Sequence, residues 1–240
     1  MCSWTPPPPS KGSRPWLVYT CGPMGAGKGW VLGWMSANGI LPLEKMAKID
    51  PDAFKLRMPE WQIYQRSGLE EQAGTLTHAE SSYVAEIAHR KAMSNGMSVW
   101  VDGSLRNYEW YRDVELPRVR NTFPQYRIAM IAVDAPEYVI EDNLRRRERE
   151  TGRVVPDELR RASAVGLERG LRELVHLVDV VYHVRNESDG NGDDGGSWRR
   201  ASSPKLLSIA VVDRSGDWNR IKFLADSPGR QDVPPVWPTS

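Results

Sequence analysis

The stretch Trp16-Leu17-Val18-Tyr19-Thr20-Cys21-Gly22-Pro23-Met24-Gly25-Ala26-Gly27-Lys28-Gly29-Trp30 decides the fold. Trp16 to Thr20 form an apolar, β-favouring run that predicts a buried strand. Gly22-Pro23-Met24-Gly25-Ala26-Gly27-Lys28-Gly29 then delivers a glycine-rich loop and a lysine, and Trp30 to Asn38 read as a helix ending near Gly39. Strand, glycine-rich loop, lysine and helix make the layout of a phosphate-binding loop of the Walker A kind. Successive backbone N–H groups in such a loop point inward at phosphate oxygens, and the following helix adds its dipole. Lys28 supplies a mobile positive charge for the outer phosphates. Residues 22–29 are therefore the expected nucleotide contacts. Gly29 departs from the motif, which places there a Ser or Thr hydroxyl that ligates Mg²⁺. The plain alternative is a glycine-rich turn with a solvated lysine; the flanking strand and helix weigh against it.

Working outward, short apolar runs alternate with helical patterns. Met46–Ile49, Met97–Val101, Tyr126–Val133 and Val178–Val184 read as strands. His78–Ser94, with Val84, Ile87 and Ala88 on its apolar face, reads as a long helix, as do residues 107–120, 136–149 and the run that Pro156 opens. This alternation predicts an α/β fold of the three-layer P-loop NTPase type: a mostly parallel sheet, helices on both faces and an Arg-rich lid. Leu206–Val212 reads as a late strand pairing with Trp218–Leu224. Residues 1–15 are expected to be a flexible Pro-rich lead, 16–225 the folded domain with 186–204 a polar disordered insertion, and 226–240 a loose tail.

The chain has 240 residues, room for one domain with a sizeable core. Its formal charge is +1, which argues against a nucleic-acid or anionic-lipid surface set up by net charge. It contains no apolar run of about 18 residues that would span a membrane. Cys2 and Cys21, one in the lead and one beside the phosphate loop, do not form a disulfide framework, and the start of the chain lacks the apolar core of a signal peptide. A reducing, cytoplasmic setting is expected. Ten tryptophans stand against three phenylalanines; Trp30 and Trp34, four apart on one helix face, are read as core packing.

Phosphoryl transfer needs more than a phosphate cradle: an acid to orient or deprotonate an acceptor, a metal partner, and positive charge on the moving group. Asp50 and Asp52 sit just past the second strand, where α/β sheets place functional groups, and either could take a proton from a hydroxyl. Their plain reading is an Asp-Pro-Asp cap on a short helix. Asp102 ends an apolar strand and is a candidate Mg²⁺ partner, with Gly103-Ser104-Leu105-Arg106-Asn107 giving a dense polar loop behind it. Arg145, Arg146, Arg147, Arg149 and Arg153 form either a solvated basic face paired with Glu141, Glu148 and Glu150, or a lid that stabilises a transferring phosphate.

With these pieces in order the chain resembles the zeta-toxin family of P-loop kinases. The likeness rests on Gly22–Lys28, on Ile49-Asp50-Pro51-Asp52-Ala53-Phe54-Lys55, on Glu86, on Val101-Asp102-Gly103-Ser104-Leu105-Arg106 and on the Arg-rich segment through Thr151-Gly152-Arg153. It covers about residues 16–185. The resemblance implies ATP- or GTP-dependent phosphorylation of a hydroxyl with Mg²⁺, in the best-known members the 3′-hydroxyl of UDP-N-acetylglucosamine. Carried over by position, it implies Asp52 as general base, Lys28 on the nucleotide phosphates, and Asp102 near the metal. Asp50, Glu86, Ser104 and Arg106 would then line the acceptor side, with Arg147 and Arg153 as lid arginines. Gly29, the proline-rich lead and the insertion depart from the family pattern, so a toxin role with an antitoxin partner does not follow. The leading expectation is a small-molecule kinase. The rivals are a 5′-hydroxyl polynucleotide or nucleoside kinase, in which the arginines grip a strand, and a non-catalytic nucleotide-binding module, to which Gly29 points.

Overall fold

Strand β1 (Trp16–Cys21) is buried along its whole length and lies third in a seven-stranded sheet ordered β2-β3-β1-β4-β5-β6-β7. The computed structural model describes residues 14–151, 155, 157–187, 204–212 and 221–223. β2 (Ala47–Ile49), β3 (Val99–Asp102), β4 (Arg127–Asp134) and β5 (Val180–Arg185) run parallel to β1. β6 (Lys205–Val212) and β7 (Ile221–Phe223) extend the β5 edge antiparallel. The late antiparallel pairing expected from the sequence is present between β6 and Ile221–Phe223.

Between the strands lie α1 (Lys28–Ala37), α2 (Pro51–Lys55), α3 (Pro59–Arg66), α4 (Glu70–Leu76) and α5 (His78–Ser94). After β3 come α6 (Tyr108–Trp110), a π turn (Tyr111–Glu115) and α7 (Leu116–Thr122). α8 (Glu137–Thr151) and α9 (Asp157–Leu174) follow β4. Strands covered on both faces read as continuous apolar runs, and β1 shows how. Leu17 and Tyr19 join a core with Val99, Val101, Ile128 and Met130, closed by Ala85, Met93, Leu116 and Leu167 of the helices. Val18 faces the other way, into a core with Trp100, Ile131 and Val133, closed by Val31 and Leu32 of α1 and Val139 and Ile140 of α8. Trp30 and Trp34 pack partly buried against this second core.

Two expectations need correction. α5 turns Ser81, Ala85, His89, Ala92 and Met93 inward, while Val84 and Ile87 are 42% and 67% exposed. Ala88 alone of the expected apolar face packs partly against the core. Small side chains let α5 lie close to its neighbours, so the bulkier apolar residues fall outside. Asn186, assigned above to the polar insertion, is 2% exposed and belongs to the core. Residues 1–13, 188–203 and 224–240, which carry most of the expected lead, insertion and tail, lie outside the described residues.

The strand order reverses direction at β1: the chain leaves toward β3 and β2 on one side, and β4 and β5 lie on the other. A crevice outside the carboxyl ends of the strands opens at such a switch point. Register places Thr20 of β1 opposite Asp102 of β3 and Ile131 of β4, so the glycine-rich loop, Asp102 and Asp50 all emerge on that edge.

Candidate active site

The loop from Gly22 to Gly27 owes its shape to glycine. Gly25 and Gly27 have φ of 87° and 79°, a left-handed region that other L-residues adopt only at a cost. A Cβ at Gly22 would drive into the carbonyl oxygen of Val133, and one at Gly27 into Nδ2 of Asn186. The loop is also tied from outside. Asn143 of α8 donates to the Gly25 carbonyl at 2.8 Å, Asn186 donates to the Ala26 carbonyl at 3.0 Å, and the Met24 amide donates to Ser163 Oγ at 3.3 Å. Sequence reading missed all three anchors, because a lone Asn or Ser carries no signal until the fold brings it to the loop.

Lys28 opens α1 and folds back, donating from Nζ to the carbonyls of Gly22 (3.1 Å) and Pro23 (3.4 Å). Burial lowers its ammonium below the usual lysine value, and the nearby Arg147 cation pushes the same way, against Asp102, Cys21 and Asp52. Asp102 is the converse case. Burial raises its carboxyl, against Lys28 and a hydrogen bond of 2.9 Å from the Thr20 hydroxyl. Lysine and aspartate thus face each other across the mouth of the phosphate loop.

Asp50 caps α2, accepting from the amides of Asp52 (3.1 Å) and Ala53 (3.2 Å), with Lys48 3.1 Å away. It does what the Asp-Pro-Asp cap predicts, which commits much of its carboxylate to the helix. Asp52 projects from the first turn of α2, its side chain half exposed, with Lys55 Nζ at 3.0 Å. Asp50, Asp52, Lys55, Leu56, Trp61 and Arg147 line a pocket of about 200 Å³. It joins α2 and α3 to the lid helix α8, which sequence spacing alone does not show. Arg153 lies outside the described residues.

Glu86, Ser104 and Arg106 are not in the lining of that pocket. Glu86 is held by Arg90 (2.5 Å) and Arg118 (3.4 Å). Ser104 Oγ accepts from the Arg106 amide at 3.4 Å. Arg106 follows Leu105, the non-glycine residue in the described chain with a positive φ (54°); Leu105 is buried against Gly166 and Gly170 of α9. Arg106 is still near the pocket: partial burial lowers His78 below its usual value, and Lys55 and Arg106 add to this against Asp52.

Behind the site sits a buried cluster that the sequence did not reveal. Glu115, turned inward by the π turn, accepts from Tyr19 Oη (3.2 Å), lies 3.2 Å from His89 Nδ1 and pairs with Arg118.

Among the described residues no group of three or more His, Cys, Asp or Glu side chains could hold a metal alone. Asp102 beside the loop fits an ion delivered with nucleotide phosphates, since Mg²⁺ binds through one or two carboxylates, waters and substrate phosphates.

Five parallel strands ordered around a glycine-rich loop at the carboxyl end of β1, with helices on both faces, define a P-loop NTPase-type α/β fold. The zeta-toxin family pattern matches residues 4–191; the chain belongs to the zeta-toxin family. Solved structures agree in fold. The toxin–antitoxin system PezAT of Streptococcus pneumoniae aligns with TM-score 0.56 and 16% identity, over 72% of this chain and 68% of that one. The AvrRxo1-ORF1:AvrRxo1-ORF2 complex with sulphate ions aligns with TM-score 0.57 and 15% identity, over 90% of this chain and 62% of that one. The same complex with ATP aligns with TM-score 0.55 and 15% identity over the same shares. This chain therefore spans less than two thirds of the AvrRxo1 chain. No curated protein matches.

Proposed function

We propose that this chain is a kinase that transfers the γ-phosphate of ATP or GTP to a hydroxyl of a small molecule, a UDP-N-acetyl sugar being the first to test. Members of the zeta-toxin family are kinases, and the AvrRxo1 complex has a structure with ATP. The observation that carries the reading is the pocket that Asp52 of α2 shares with Arg147 of α8, both within electrostatic reach of Lys28.

In this reading the loop amides and Lys28 hold the β- and γ-phosphates. Asp52 orients the acceptor hydroxyl; its oxygen bonds to the γ-phosphorus as the bridging bond to the departing nucleoside diphosphate breaks. The hydroxyl proton passes to Asp52 and then to solvent. Arg147, with Arg153, meets charge spreading over the phosphoryl oxygens. Asp50, Ser104, Arg106 and Glu86 position the acceptor and its surrounding groups. Mg²⁺, when bound with the nucleotide and Asp102, neutralises phosphate charge. Among the described residues no helix is long and apolar enough to cross a membrane; a cytoplasmic setting, expected from the sequence, is part of this proposal.

The test is transfer from γ-labelled ATP or GTP with Mg²⁺ to UDP-sugars, nucleosides, oligonucleotides and a small-molecule extract. A labelled product lost in both Lys28→Ala and Asp52→Asn supports the reading; a labelled oligonucleotide would move it to polynucleotide kinase. Gly29 favours one other reading, a nucleotide-binding module without catalysis. ATP binding without transfer, unchanged by Gly29→Ser, would establish that instead.

A further inference from the structure

Lys55 lies outside the functions assigned so far. Its residue is only 7% exposed, while the carboxylate it meets, Asp52 Oδ1 at 3.0 Å, belongs to a side chain that is half exposed. Such a pair is a poor stabilising device. A half-solvated carboxylate gains little from an ion pair, whereas the ammonium gives up most of its hydration. The arrangement gains a purpose if the carboxylate must be held in one place. α2 is short, its cap is Asp50, and Asp52 and Lys55 stand one turn apart on it, so the stem of Lys55 anchors in protein while its tip returns to the pocket. Other cationic or titratable groups near Asp52 include Lys28 of α1, Arg147 of α8 and His78 of α5, with Arg106 beside His78, and Asp50, the acidic cap of α2, lines the same pocket. Lys55 is the cation of this set fixed to the same helix as Asp52, so its distance to the carboxylate does not depend on lid position.

We infer that Lys55 is a positioning residue for the acceptor-orienting step, pinning the Asp52 carboxylate in one orientation and in its ionised form. This rests on the reading of Asp52 above. A carboxylate pinned by a cation is a weak base, so Asp52 takes the hydroxyl proton late, as the new O–P bond forms. That order suits a loose phosphoryl transition state, in which little nucleophile activation is needed.

The experiment separates this inference from the reading it rests on. The carboxyl carbon of Asp52, assigned in ¹³C-aspartate spectra by its loss in Asp52→Asn, is titrated in wild type, Lys55→Met and Lys55→Arg. The expected result is an upward move of about one pH unit in Lys55→Met and none in Lys55→Arg. ATP turnover with water as acceptor should show its acid limb moving by the same amount, with KM for ATP unchanged. Lys55→Gln answers the same question if Lys55→Met does not fold. An unmoved Asp52 titration in a folded variant overturns the inference, whatever the activity. Full activity in Asp52→Asn beside a shifted titration would instead overturn the role of Asp52.

Discussion

Glycines 22 and 29 belong to one sequence motif, Gly22 in the loop and Gly29 in the first turn of α1, and answer to different physics. At Gly22 a side chain has nowhere to go: a Cβ would collide with the backbone of Val133, which is fully buried near the end of β4 and paired with Val184 of β5. Gly22→Ala should cost about 2–3 kcal/mol of stability, read as a lower urea midpoint, and should weaken nucleotide binding with it. At Gly29 a Cβ meets nothing within 4 Å. Gly29→Ser should leave the urea midpoint within about 0.5 kcal/mol of wild type and lower the Mg²⁺ concentration needed for half-maximal nucleotide binding, measured by calorimetry at fixed ATP. A Mg²⁺ requirement unchanged by the new hydroxyl would mean that the ion does not approach this end of α1. Both glycines were legible as members of the motif, although α1 opens before Gly29 and takes it out of the loop. Their different tolerance was not, because it depends on β4, which lies about a hundred residues further along the chain.

Elements were legible wherever one face carries enough apolar residues to set a period. α8 and the parallel strands meet that condition. α3 does not, for it buries no residue fully, and its start is marked only by Pro59. α5 failed in phase, since Ser81, Ala85, His89 and Ala92, with Met93 as the one large apolar residue, carry its inward face, and the periodic signal came from Val84 and Ile87. The π turn is the element with the most to test. Burial by itself would raise the Glu115 carboxyl, but the His89 hydrogen bond and charge, with Arg118, bring it down to about 2 from an ordinary 4.5. The folded protein thus holds this site ionised where the unfolded chain would bind a proton. That stabilisation is fully present above about pH 4.5, falls as pH drops through the window between the two values, and is lost near pH 2. Its size is about 3 kcal/mol by linkage. Glu115→Gln should therefore be about 3 kcal/mol less stable at pH 7 and converge on wild type as the solution approaches pH 2, followed by urea unfolding at several pH values. A gap that persists at acid pH would locate the effect in packing instead of charge.

At the scale of the whole molecule, the site is assembled from pieces far apart in sequence that meet only because the sheet reverses at β1. The loop follows β1, Asp52 follows β2, Asp102 ends β3, and Arg147 arrives on the helix after β4. Sequence reading supplied the members of this set. It could not supply the meeting of Asp52 and Arg147 in one pocket, nor the clamps from Asn143, Ser163 and Asn186, since nothing local records which helix turns back over the loop. The clamps imply that α8, α9 and the end of β5 report on what the loop holds. By binding at the proposed nucleotide site, ATP with Mg²⁺ at about a hundredfold over its Kd should stabilise the protein by about 2.7 kcal/mol, a rise of roughly 5–10 °C in Tm for a chain of this size. Hydrogen exchange should slow in the loop and in α8 and α9 together, because Gly25 is bonded to Asn143 of α8 and Met24 to Ser163 of α9. Lys28→Ala should abolish both responses, whereas Asp52→Asn, which touches the acceptor side alone, should keep the thermal rise while losing transfer by about 10²–10⁴-fold. Asn143→Ala should uncouple the two halves, preserving protection in the loop on ATP addition but reducing it in α8. Equal protection of α8 in that variant would show that the lid helix senses nucleotide through the arginines and not through the clamp.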